Sequence, residues 1–391
     1  METKQEVHAF SGAVQSKLHK ASTSIFAVMS AEAEKHNAIN LSQGFPGFPV
    51  SEELISLCHK YMKQGLNQYA PMPGVLKLRE MISNKMKKAY SLYYNPSDEI
   101  TITAGATQAL FTAISAFVKA GDEVLLFDPA YDSYAPAIEM CGGVAIHINL
   151  NESDFSIPWA EVKNRVNHKT RMIIINTPHN PSGSVLSASD LLQLEKICSQ
   201  SDIIVLSDEV YEHIVFDGYE HQSVARYPVL ASRSILIYSF GKTFHATGWK
   251  LGYAVGPKNL MQEFRKVHQY LVFAVNTPLQ HAMAEYMQCE SNYTEVHKMY
   301  ESKRNYFSSL LKSSRFKLLP CSGSYFLLLD YSNISKNKDT EFALHLTREH
   351  KVASIPVSVF YKNAPDQYLL RFCFAKEEHE LEEAAKRLCA I

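Results

Sequence analysis

Two lysines stand in one short stretch, "SFGKTFHATGWKLGY" (residues 239–253), where the apolar run "SILIYSF" ends. "GKT" is also the ending of a nucleotide-binding P-loop. That motif needs an earlier glycine so that backbone amides can wrap phosphates, and Leu236 occupies its place. Lys242 is therefore open to two readings. An ordinary lysine is a solvated surface group, because burying its charge is costly. A lysine at the end of a buried strand gives up its proton more readily, and the neutral amine is then a nucleophile. Such an amine suits a Schiff base with an aldehyde, and pyridoxal phosphate is the commonest partner of that kind.

That cofactor asks for further groups. Its ring nitrogen needs a carboxylate, which Asp208 in "DIIVLSDEV" can supply, although Asp208 alone reads equally well as a helix N-cap. Its phenolic oxygen needs donors. Tyr211 and Asn180 are available, with core packing and turn chemistry before a proline as their plainer readings. Its phosphate needs a helix N-terminus with hydroxyl or cationic donors. The amides around Ala106 and Thr107 in "GATQ", with Ser239 and Lys250, meet that need, and Tyr131 can lay its ring on the pyridine face.

The elements that must hold these groups are legible. "EITITAGA", "DEVLLFDPA", "GVAIHINL", "TRMIIINTP", "DIIVLSDEV", "SILIYSF" and "LGYAVGP" read as strands. Several are almost continuously apolar, as in a sheet covered on both faces. Helical patterns such as "TQALFTAISAFVKA" and "SASDLLQLEKICSQ" alternate with them, which predicts an open, mostly parallel α/β sheet. Ligands of such sheets collect beyond the carboxyl ends of the strands. Here those ends read "TAGATQ", "FDPAYDSY", "NTPHNPSG", "SDEVYEH" and "SFGKTF", each rich in polar groups or glycine. After about residue 290 the pattern changes to a long helical stretch, "NYTEVHKMYESKRNYFSSLLKSS", followed by "SYFLLLDYS", "VASIPVSVF" and "YLLRFCFA". This predicts a smaller α+β unit joined by part of the N-terminus.

Composition bounds the function. The 391 residues carry 39 Lys plus Arg against 40 Asp plus Glu, so no basic excess points to nucleic acid. The opening "METKQEVHAFSGAVQSKL" lacks the apolar core of a secretory signal, and no apolar run is long enough for a membrane span. The seven cysteines form no C-x-x-C pair and read as reduced thiols, so a cytoplasmic protein is expected. His179, His213, His221 and His245 fit no metal-ligand spacing, and no metal is expected.

Taken together, "LSQGFPGFP", "NQYAPMPG", "NTPHNPSG", "SDEVYEH" and "SFGKTFHATGWKLGY" appear in the order and spacing of a known family. The chain resembles the class I pyridoxal-phosphate aminotransferases of fold type I. Within them it is similar to methionine aminotransferases and the kynurenine/glutamine transaminase-like enzymes, over essentially its whole length. The resemblance implies roles by position. Lys242 carries the cofactor, Asp208 partners its ring nitrogen, and Tyr211 and Asn180 face its phenolic oxygen. Tyr131 stacks, while Ala106, Thr107, Ser239 and Lys250 cradle the phosphate. Arg371 in "LLRFCFA" grips the substrate α-carboxylate, with the backbone of Gly44 close by. Gly241 leaves room beside the ring. Tyr69 and Phe273 match positions that reach the neighbouring subunit's site, which implies a homodimer. There are departures: Lys250 replaces an arginine common in the wider family, and Tyr131 stands where kynurenine-type enzymes carry phenylalanine.

The implied fold is a large cofactor-binding domain, residues 48–288, with a mostly parallel seven-stranded sheet. The small domain combines 1–47 and 289–391. The implied reaction is ping-pong transfer of an α-amino group to a 2-oxo acid, with methionine and aromatic donors favoured. Phe45, Phe48, Tyr69, Phe273 and Phe360 are the expected walls of the side-chain pocket. The same groups would serve a kynurenine or glutamine transaminase, or a β-lyase acting on cysteine S-conjugates. A non-catalytic regulator of this fold would need an added DNA-binding domain, for which there is no room before Ser42.

Overall fold

The computed structural model describes residues 9–18, 23–365 and 367–391. Among the described residues, thirteen strands appear in chain order. They are β1 (Ile39–Asn40), β2 (Ile100–Thr103), β3 (Glu123–Asp128), β4 (Val144–Asn149), β5 (Thr170–Asn176), β6 (Ile204–Asp208), β7 (Ser234–Ser239), β8 (Gly252–Val255), β9 (Lys317–Leu318), β10 (Phe326–Asp330), β11 (Val352–Ala353), β12 (Ile355–Pro356) and β13 (Leu369–Cys373).

The apolar runs of the middle region build one seven-stranded sheet in the order β2-β8-β7-β6-β5-β3-β4. Only β8 runs antiparallel to its neighbours within it. Because side chains alternate across a strand, each strand serves two cores. In β5, Ile173 and Ile175 enter one apolar cluster while Met172 and Ile174 enter the opposite one. Leu236 and Tyr238 of β7 likewise face away from Ile235 and Ile237. Helix Gly105–Phe117 leaves β2 and buries Ala109, Ala113 and Ile114 on the second face. Helix Ala188–Cys198 starts at a reciprocal cap between Ser187 and Asp190, as its Ser-x-Ser-Asp start predicts.

A smaller α+β unit follows. Its antiparallel sheet has the order β12-β13-β10-β9, and the N-terminal β1 pairs in parallel with β11. Two details differ from the sequence reading. The single long helix expected after residue 290 is broken at Glu295 into Ser291–Thr294 and Val296–Leu310. "VASIPVSVF" is not one strand either. Val352 and Ala353 pair with β1, Ile355 and Pro356 pair with β13, and Val357–Phe360 coils into a 3-10 turn. Proline lacks the N–H that would continue a ladder, so the strand ends there. No helix among the described residues is long and apolar enough to cross a membrane.

Candidate active site

The parallel strands β5, β6 and β7 lie side by side, so their ends deliver Asn176, Asp208 and Ser239 to one edge of the sheet. Beyond that edge is a cavity of about 250 Å³. It is lined by Gly44, Ala106, Thr107, Tyr131, Asn180, Asp208, Tyr211, Ser239, Gly241, Lys242, Lys250 and Arg371 among others. Tyr69 and Phe273, expected to reach the neighbouring subunit's site, do not line the cavity of their own chain. Their rings pack edge to face at 5.4 Å on the surface, and Tyr69 is 84% exposed.

Lys242 follows β7 in the short helix Phe240–Thr243. Its Nζ donates to the Gly44 carbonyl at 3.1 Å and to the Tyr325 hydroxyl at 2.8 Å. Burial pulls its pKa down to about 8, and the charges of Arg371 and Lys250 act in the same direction. A usable fraction is therefore neutral near pH 7–8, as a nucleophile or proton carrier requires. Gly241 lines the cavity, and packing gives a further reason for a glycine there. A Cβ there would lie 2.9 Å from Thr247 Cα and 3.1 Å from the Ala246 carbonyl, so the glycine lets the following turn fold back.

Asp208 is buried at the end of β6, and burial pushes its carboxyl up to about 6. Its Oδ2 accepts from the Tyr134 hydroxyl at 2.6 Å, and its Oδ1 has only a 3.4 Å contact with the Val210 amide. One carboxylate oxygen therefore remains free for a further donor. Asn176 ties this corner together, donating to the Asp208 carbonyl at 2.9 Å and accepting from the Asn180 amide at 2.9 Å.

At the opposite side, helix Gly105–Phe117 begins after Ala104, which has no side chain to cap it. Its first-turn N–H groups therefore face the cavity without a capping partner, a setting that favours an anion. Gly105 has φ +78 and lies against the Lys250 backbone, itself left-handed with φ 52. Lys250 Cε lies 3.5 Å from where a Cβ on Gly105 would sit, and Ser239 and Lys250 line the same cavity as Ala106 and Thr107.

Arg371, in β13, is 1% exposed and its guanidinium lies 3.9 Å from the Phe326 ring centre. Nη1 donates to Asn180 Oδ1 at 2.8 Å and Nη2 to the Ser42 carbonyl at 3.0 Å. Both partners are neutral, and the buried Nε has none. A buried cation held this way is completed by an anionic ligand, and the planar guanidinium fits a carboxylate. Because Asn180 Oδ1 is used by Arg371, its amide NH₂ is left as a donor.

Sequence reasoning missed four contributors: Tyr134, Asn176, Tyr325 and Phe26. Phe26, near the start of helix Ile25–Lys35, lines the cavity with its ring 5.3 Å from the guanidinium. The expected pocket walls are corrected accordingly. Phe45 lies over Lys376, Phe48 packs on His245, and Phe360 sits behind Arg371. The aromatic lining is instead Phe26, Tyr131, Tyr211 and Phe326.

The residues present fit pyridoxal phosphate. A charge-hungry helix start with a lysine and a hydroxyl suits its phosphate, a half-partnered carboxylate suits its ring N–H, and a weakly basic amine lines the same cavity.

Comparison with known proteins agrees. The family described as aminotransferase class I and II matches residues 36–388. The chain is 48% identical to methionine aminotransferase of Escherichia coli, covering 96% of this chain and 97% of that one. A solved E. coli structure reported with a methionine aminotransferase function superposes with a TM-score of 0.95, at 47% identity, covering 97% and 100% of the two chains. N-succinyldiaminopimelate aminotransferase from Mycobacterium tuberculosis superposes with a TM-score of 0.93, at 35% identity, covering 97% and 100%. Human kynurenine–oxoglutarate transaminase 1 is 31% identical, covering 91% and 93%.

Proposed function

The chain belongs to the class I and II aminotransferases, and from that premise we propose that methionine and aromatic amino acids are its preferred amino donors. It is a pyridoxal-phosphate-dependent enzyme that acts on amino acids and 2-oxo acids. When bound, the cofactor supplies an aldehyde that takes up an amino group and a ring that draws electrons from the substrate α-carbon.

The chain's own residues do the rest. Lys242 anchors the cofactor and then moves the α-proton with its Nζ. Asp208 holds the ring-nitrogen proton. Tyr211 and the Asn180 amide donate to the phenolic oxygen, and Tyr131 packs on the ring. Ala106, Thr107, Ser239 and Lys250 hold the phosphate. Arg371 clamps the α-carboxylate beside Gly44, and the aromatic lining displaces water around the reacting carbon. Residues 48–288 form the cofactor-binding domain and 1–47 with 289–391 the smaller one. The enzyme works in the cytoplasm as a homodimer, in which Tyr69 and Phe273 complete the neighbouring site.

The observation that carries the donor preference is the cation count around the cavity. Among the described residues, Lys242, Lys250 and Arg371 are the basic ones that line it, and each is already committed. A carboxylate on the substrate side chain would be buried without a partner, which costs several kcal/mol, on the order of 3–5. A thioether or aromatic side chain instead meets Phe26, Tyr131 and Phe326. Comparing kcat/KM for methionine and aspartate tests the proposal. Methionine should be preferred by about a hundredfold or more. A preference for aspartate would overturn it.

A further inference from the structure

Lys242 does not rest against a carboxylate. It rests on two neutral oxygens, the Gly44 carbonyl and the Tyr325 hydroxyl, and these two also bond each other at 2.6 Å. A hydroxyl has one proton. Tyr325 gives it to Gly44, so the lone pairs of its oxygen are left to accept from Lys242. The hydroxyl is held firmly in place. Tyr325 is fully buried, its carbonyl accepts from the Phe374 amide at 3.1 Å, and its ring packs edge to face on Tyr211 at 5.1 Å. Phe326 and Tyr300 enclose the rest of the ring.

We infer that Tyr325 is a positioning residue, whose hydroxyl holds the Lys242 amine at the cavity whenever that amine is not bound to cofactor. The inference rests on Lys242 being the cofactor-bearing lysine. The physical need is specific. A released lysine on a flexible four-carbon stem would sample many rotamers, and ordering it costs about 1.5–2 kcal/mol. A carboxylate partner would order it but hold it charged, useless as a base. Neutral acceptors order it while favouring the ammonium less, so more of the amine stays neutral, in keeping with a pKa drawn down to about 8. The partners also come from outside the large sheet. Gly44 lies in the N-terminal segment and Tyr325 immediately precedes β10, so the lysine is aimed by residues outside the large sheet.

The test is Tyr325→Phe, which keeps the ring and removes the hydroxyl, both the acceptor for Lys242 and the donor to Gly44. Full-length protein freed of cofactor is titrated with a small amine-acylating reagent, and labelling of Lys242 is followed by peptide mapping. An ammonium gains more than a neutral amine from an oxygen acceptor, so the labelling midpoint should fall by about one pH unit in the variant. With cofactor restored, kcat should fall about tenfold, the worth of one such bond, while KM for the amino donor stays within about threefold. An unchanged midpoint overturns the inference, whether or not activity is lost. If activity falls through KM, or with a lowered melting temperature, at an unchanged midpoint, Tyr325 is only a packing residue. Borohydride trapping separates this from the underlying reading. A cofactor label on a lysine other than Lys242 overturns that reading itself, whereas a label on Lys242 with an unmoved midpoint overturns only the role of Tyr325.

Discussion

Asp208 shows how a single residue trades stability for chemistry. Its folded carboxyl titrates near 6, against an ordinary value of 3.8, because burial disfavours the anion. The sign follows from linkage. Between those two values the folded chain binds the extra proton, so the cofactor-free protein loses stability as pH rises from about 4 to 6. Above that range the full cost, about 2–3 kcal/mol, is present. Asp208→Asn should therefore stabilise the cofactor-free protein at pH 7 by roughly 2 kcal/mol and abolish most transamination, because an amide cannot hold the ring-nitrogen proton. Denaturant melts and turnover, measured on the same variant, check both halves. A destabilised variant with near-normal turnover would contradict them. The same carboxyl sets a pH dependence: cofactor affinity should weaken as pH falls through about 6 and the anion is lost, which equilibrium dialysis would read.

At the scale of elements, the site depends on how closely β8 approaches the start of helix Gly105–Phe117. A Cβ on Gly252 would lie 2.6 Å from the Tyr238 carbonyl and 3.1 Å from the Ala106 amide. Both neighbours are backbone, so neither yields cheaply. Gly252→Ala should cost about 1–3 kcal/mol and loosen the phosphate cradle. Gly248, four positions earlier, is the matched control, since a Cβ there meets nothing within 4 Å. Gly248→Ala should leave both melting temperature and cofactor retention within error. Equal effects at the two positions would show that the close approach does not matter.

At the scale of the whole molecule, the surface carries an apolar group of Tyr69, Tyr270, Leu271 and Phe273, each at least 46% exposed. Solvent exposure of so many large apolar side chains favours burial against a second copy. If Tyr69 serves the opposite site, two defective variants should rescue each other. Mixing Tyr69→Ala with Lys242→Ala, after dissociation and reassociation, should restore activity, because a mixed dimer can hold both defects in one site and neither in the other. Full activity from a monomer in sedimentation would rule this out.

The strands were legible because their apolar runs are a local signal, and both faces of the sheet demand them. So was the gathering of Asp208 and Ser239, which end strands, with Asn180 and Lys242, which follow strand ends within four residues, where open α/β sheets collect ligands. The division of "VASIPVSVF" between two sheets was not legible, since pairing partners lie elsewhere in the chain. Nor were the supports of the site. Tyr134 reaches Asp208 across 74 positions, Tyr325 reaches Lys242 across 83, and Gly44 reaches it across 198. No spacing rule links such pairs. Residue type and position along a strand mark the groups that the fold gathers at the cavity. Which neutral oxygens hold the lysine, and which aromatic rings wall the pocket, is decided only when two units of the chain fold onto each other.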